Sequence, residues 1–123
     1  MDEEFRKQLI ENGADVETTI KRFMGNEGLY VKFLMKFQTD NNYENIQEHV
    51  AAGQYEAAFN DAHTLKGVSA NLGLNPIYEG ASKLVELLRG KQPEEIDVEE
   101  VNRVKDELGE KCTLFRKLLK EYE

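Results

Sequence analysis

Apolar residues recur along the chain at steps of three and four, and short polar or glycine-bearing breaks cut the pattern into segments. That spacing predicts helices rather than strands. Residues 2–11 place Phe5, Leu9 and Ile10 on one side and end at Asn12-Gly13. Asp15 can cap a second short helix, with Val16, Ile20, Phe23 and Met24 at helical spacing. Gly25-Asn26 ends that segment, and Asn26 can cap a third over 27–38, with Leu29, Tyr30, Phe33, Leu34 and Phe37 on one face. The next apolar set, Tyr43, Ile46 and Val50, points elsewhere on a continuous helical wheel. A kink or break is therefore expected at 39–42, where Asn41 followed by Glu44 resembles a capping box.

Gly53 ends this stretch, and a central helix is expected over 54–72, closed by Gly73 in a left-handed cap. Asn75-Pro76 restarts the chain, with Asn75 as N-cap and Pro76 in the first helical position. The helix over 76–89 should bury Ile77, Ala81, Leu84, Leu87 and Leu88, and Lys91-Gln92-Pro93 reads as a loop. Asp97 then caps the last helix, whose Val101, Val104, Leu108, Cys112, Phe115, Leu119 and Tyr122 form a sustained seam. The expected fold is all-α, an antiparallel four-helix bundle with short N-terminal helices, in one domain over 1–123.

Charge and composition narrow the function. A net charge of −8 argues against a nucleic-acid groove or an anionic membrane surface. The single cysteine, Cys112, permits no intrachain disulfide and no zinc framework, which fits a reducing compartment. Charged residues crowd the first positions, so no signal peptide is read, and no run approaches the ~18 apolar residues of a membrane span. A cytoplasmic, free-standing, monomeric protein is the expectation.

One stretch of the central helix departs from scaffold chemistry. Asp61 to Gly73 contains His63, Lys66 three residues on and Gly67 in mid-helix. A glycine there costs about 1 kcal/mol relative to alanine. The apolar face of this helix is Ala58, Phe59, Ala62, Leu65, Ser69 and Leu72, and His63 lies roughly 130° from its centre. Phe59, Asn60, Lys66, Gly67 and Ala70 surround it on the helix surface. A neutral imidazole is a nucleophile, an ammonium one turn away can pair with an anion on the ring, and small residues leave room for another protein's backbone. Transfer of a phosphoryl group to and from a partner would suit such a face. On spacing alone, a surface histidine beside a helix-packing glycine is the simpler reading.

The run His63-Thr64-Leu65-Lys66-Gly67-Val68-Ser69-Ala70-Asn71-Leu72-Gly73 resembles the signature of histidine-containing phosphotransfer (HPt) domains of multistep phosphorelay, or two-component, signalling. The likeness extends over roughly 15–90, through Phe23-Met24-Gly25-Asn26-Glu27, Leu29-Tyr30 to Phe37, and Ile77, Ala81 and Leu84. The last helix is similar only as a bundle helix. The resemblance implies His63 as phosphoryl acceptor through Nε2, Lys66 as the group pairing with phosphate, and Gly67, with Ala70, Phe59 and Asn60, as the face that receives the partner. It implies response-regulator receiver domains and a hybrid sensor histidine kinase as partners. It also implies a carrier without ATP-dependent kinase activity and without a cofactor of its own, magnesium belonging to the receiver.

One position departs from the family pattern. Where many members place an acid or amide that helps orient the histidine, this chain has Val85, followed by Glu86. No role is assigned to Glu86, and Lys83 is a candidate flanking group. Other functions fit less well. A helical adaptor that binds receivers without being phosphorylated would share the same bundle. A metal-carboxylate bundle needs Glu-x-x-His pairs, but Ile46 precedes His49 and Asn60 precedes His63 at that spacing. His49 is expected on the solvated surface. A hydrolase using Cys112 and His63 is disfavoured because the thiol belongs to the seam.

Overall fold

In the computed structural model, which covers residues 1–123, short polar side chains start most of the helices. Asp2 accepts a hydrogen bond from the Phe5 amide and begins α1 (Glu3–Glu11). Asp15 does the same for α2 (Val16–Arg22), and Asn26 for α3 (Glu27–Lys36). A 3-10 turn at Phe37–Thr39 and extended backbone at Asp40 separate α3 from α4 (Asn42–Ala51). The expected break at 39–42 is therefore present. Then come α5 (Tyr55–Leu72), α6 (Asn75–Leu88), a second 3-10 turn at Pro93–Glu95, and α7 (Val98–Glu121), capped by Asp97.

The four helices α4 to α7 form the bundle. Each packs on the next, and α7 closes back on α4. The Tyr43 ring occupies the space over Gly109, where a Cβ would collide with its hydroxyl, and that hydroxyl donates to the Lys105 carbonyl at 2.9 Å. Beside this crossing, Arg116 pairs with Glu44 at 2.6 Å and holds the Glu44 carboxyl below its ordinary range. One continuous core includes the seam of α7 from Val101 to Leu119, and Cys112 is buried within it. Burial pushes the Cys112 thiol up to about 12, so thiolate chemistry has no foothold there.

The short helices α2 and α3 brace the C-terminal end of α5, while α1 packs on α7 and α2. Arg22 donates to the Ala70 carbonyl at 2.8 Å, the Tyr30 hydroxyl donates to the Leu72 carbonyl at 3.2 Å, and the Asp15 amide donates to the Gly73 carbonyl at 2.8 Å. These bonds satisfy carbonyls that a helix end otherwise leaves orphaned. Gly73 itself has φ +71°, and the bonds from the Gly73 amide to Ala70 and from the Leu74 amide to Ser69 make a Schellman motif. That motif turns the chain so that α6 runs back along α5.

Several expectations change. Ile10 is exposed, because only Phe5 and Leu9 of α1 face the core. Met24 is not helical: its φ is +58° and its side chain is 94% exposed, because α2 ends at Arg22 and the chain reverses through Met24-Gly25. Leu29 and Phe33 are exposed, while Tyr30, Leu34 and Phe37 are buried. Asn41 forms no capping box with Glu44; Asp40 accepts from the Asn42 amide instead. Helix α6 begins one residue early, at Asn75, so Asn75 is not its N-cap; the buried Leu74 takes that place. Val85 is fully buried whereas Leu87 is half-buried, and Leu118 joins the α7 core. Tyr122 is half-buried and stacks on Phe5 with ring centroids 4.8 Å apart.

The reversal at Gly73 is predicted to be the most sensitive backbone position. A methyl group there would press on Thr19 Oγ1, stand 2.7 Å from the Asp15 carbonyl oxygen and require an unfavourable φ. Gly73→Ala should cost ~2 kcal/mol or more. Thermal unfolding followed by circular dichroism should show a midpoint lower by roughly 8 °C; an unchanged midpoint would contradict this account of the turn.

Candidate functional site

The face of α5 that carries His63 is set by the burial of its opposite side. Ala58, Ala62, Leu65, Ser69 and Leu72 are buried, and the Ser69 hydroxyl is satisfied by the Leu65 carbonyl at 2.8 Å. Rotation by about 100° per residue then leaves Asn60, His63, Thr64, Gly67, Ala70 and Asn71 outside, and all six are exposed.

The His63 ring lies flat against Phe59, four residues earlier. Their centroids are 6.1 Å apart and their planes differ by 4°. The Arg89 guanidinium sits 5.5 Å from the centre of the Phe59 ring. Lys66 reaches toward α6, with its ammonium 5.9 Å from the centre of the Tyr78 ring. Each cation thus lies over an aromatic ring of the facing helix, Arg89 over Phe59 and Lys66 over Tyr78. Above Gly67 a Cβ would meet nothing within 4 Å, so no packing contact explains the glycine. Asn60 is exposed and its carbonyl accepts from the Thr64 hydroxyl; Ala70 is exposed while its carbonyl is held by Arg22.

The second histidine occupies a different setting. His49 is half-buried, and its Nδ1 lies 2.5 Å from Asp61 Oδ2, which ties α4 to α5. It is not the solvated residue expected, because Asp61 projects from the side of α5 that α4 covers. Lys83 is exposed on the outer side of α6, about 120° around the helix from Arg89, and does not flank His63. Glu86 pairs with Arg89 at 3.3 Å on the surface. Arg89 and Tyr78 are the site neighbours that linear reading missed. Their distance from His63 in sequence hides them until the hairpin register is known, although both fall on the face of α6 that turns toward α5.

Next to Gly67, a shallow groove between α3 and α5 is lined by Phe33, Phe37, Val68 and Leu72, with Lys36, Asp40 and Asn71 at its edge. Phe33 stacks obliquely on Phe23, and the exposed Leu29 and Met24 lie on the same N-terminal helices.

The Hpt domain family model matches residues 34–112, more than half of the chain. The chain belongs to the Hpt family. The match begins later than the motif likeness over 15–90 and runs further, into α7 as far as Cys112, so the last helix is part of the Hpt pattern. No curated protein and no solved structure matches the chain. Hpt domains are phosphotransfer carriers of phosphorelay signalling rather than kinases, and the all-helical bundle is the fold they use. No helix here is long and apolar enough to cross a membrane.

The open space above Gly67 has a thermodynamic signature. Gly67→Ala should stabilise the Hpt bundle by up to ~1 kcal/mol, because the methyl meets no neighbour and the unfolded chain loses entropy. A rise of a few degrees in the unfolding midpoint is expected; a fall would mean that the helix needs a glycine there for packing.

Proposed function

We propose that His63 accepts a phosphoryl group from a receiver-domain aspartate, or from a kinase, and passes it to another receiver. The observation that carries the reading is the contrast between the two histidines. His49 is held by Asp61 between helices, whereas His63 is exposed beside an unfilled space at Gly67.

The chemistry divides between two proteins. The lone pair of Nε2 forms the N–P bond while the P–O bond to the donor aspartate breaks, and the carboxylate leaves with the electron pair. Nδ1 keeps its proton. The receiver supplies the aspartate and its magnesium, and this chain supplies the nucleophile and two cations. Lys66 pairs with the phosphoryl oxygens from one side, and Arg89 adds positive charge from the other. Gly67 and Ala70 admit the receiver's backbone, Phe59 and Asn60 border the approach, and the groove beside Phe33 and Val68 extends the apolar contact. A hybrid sensor kinase upstream and a cytoplasmic location complete the proposed setting, the latter because the single thiol is suited to a reducing compartment.

Incubation with a magnesium-loaded, phosphorylated receiver tests the reading. Wild type should acquire acid-labile, base-stable phosphate, and His63→Gln should acquire none. Equal, negligible labelling of both would favour the adaptor that binds without being phosphorylated.

A second variant isolates access from chemistry. Gly67→Gln keeps His63 and Lys66 but fills the space, so transfer should fall at least tenfold with the helical circular-dichroism signal unchanged. Transfer at the wild-type rate would contradict the role given to Gly67.

A further inference from the structure

We infer that the Ser82 hydroxyl positions the His63 imidazole, fixing the tautomer that leaves Nε2 free to react. The inference rests on the reading of His63 as phosphoryl acceptor and concerns how the ring is held.

Two cross-helix pairs define where α6 passes His63. Lys66 lies over Tyr78, and Arg89 lies over Phe59. Between them, the antiparallel register brings the turn from Ser82 to Val85 opposite Ala62 and His63. At about 100° per residue, Tyr78, Ser82, Val85 and Arg89 form one stripe within about 60° of α6, and that stripe faces α5. His63 stands within about 60° of both Phe59 and Lys66, the two residues of α5 that reach this stripe.

Only one member of the stripe at this level can hold a histidine by hydrogen bonding. Val85 is fully buried and aliphatic. The Ser82 Oγ is buried and has no hydrogen-bond partner. Buried hydroxyls are seldom left in that state, because desolvation without a bond is costly. Two other buried side-chain atoms lack partners, Nε of Arg6 and Nε of Arg116, but both guanidinium groups are bonded through their terminal nitrogens. Ser82 is thus the side chain whose hydrogen-bonding capacity is wholly unspent.

The ring's stacking on Phe59 occupies one face and leaves its edges for hydrogen bonds. Nδ1 is the nitrogen nearer the helix, and Nε2 is the outer one. An imidazole turned toward α6 spends that capacity: its Nδ1–H donates to Ser82 Oγ, which in the structure as it stands neither donates nor accepts. With the proton held on Nδ1, the lone pair lies on Nε2, toward the partner. As the N–P bond forms, positive charge develops on the ring, and in that bonded arrangement the serine oxygen accepts from the N–H that carries it. Ser82 so performs the service that a buried valine at position 85 cannot.

Long-range 1H–15N spectra of the full-length protein across pH 5 to 9 test this without any partner. In wild type His63 should be mainly the Nδ1–H tautomer, the reverse of free histidine. Ser82→Ala should move the tautomer ratio about fivefold toward Nε2–H, the effect of losing one neutral hydrogen bond, and should slow transfer by a similar factor. Ser82→Thr should retain both properties, and the His49 signals should be the same in all three proteins. A wild-type ring that is mainly Nε2–H, or a His63 tautomer ratio unchanged in Ser82→Ala, overturns the inference. Failure of wild type to be phosphorylated would instead count against His63 as acceptor and would leave the tautomer result to stand by itself.

Discussion

The structure depends on how the chain reverses at Gly73. The left-handed residue closes α5, its carbonyl is taken by the Asp15 amide, and Thr19 fills the space where a side chain would stand. The next residue, Leu74, is fully buried, which fixes the phase at which α6 begins. From that phase follow the contacts of the hairpin: Tyr78 against Lys66 and Arg89 against Phe59. Helices α2 and α3 secure this reversal, since Asp15, Arg22 and Tyr30 all grip the last turn of α5 or the residue after it, while α1 packs on α7.

A site of this kind is defined by what is kept off it. Three helices bury one side of α5, and nothing covers the other. A reactive histidine in a deep pocket would be shielded from a receiver whose own aspartate lies among magnesium ligands. Here His63 is exposed on the outer face of α5, beside an unfilled space at Gly67. On the proposed reading most of the electrostatic stabilisation comes from the partner, which accords with a carrier that must meet more than one protein. Exposure also limits rigidity, and stacking on Phe59 supplies orientation without closing the surface.

Much of this was legible in the amino-acid order. Helical periodicity, the caps at Asp15, Asn26 and Asp97, and the glycine at 73 located nearly every element, because these are local signals. The motif from His63 to Gly73 pointed to a face of α5 that the structure leaves exposed. What escaped was non-local. Met24 fits a helical stripe on paper, yet the turn at Gly25 claims its backbone. His49 looked solvated among Gln47 and Glu48, and only the packing of α4 on α5 brings Asp61 to it. Arg89, Tyr78 and Ser82 lie 15 to 26 residues after His63, and only the hairpin register puts them on the face of α6 that turns toward α5. Val85 read as a missing polar group; in the structure it is core, and the polar capacity sits one turn earlier.

The central claim is that His63, and not His49, carries the phosphoryl group on Nε2. Phosphorus-coupled 15N spectra of the uniformly labelled, phosphorylated protein address it directly. The account predicts a one-bond N–P coupling at His63 Nε2, with His49 retaining its unphosphorylated shifts. Coupling at His49, at His63 Nδ1, or at no histidine in a protein that nevertheless takes up phosphate would contradict it.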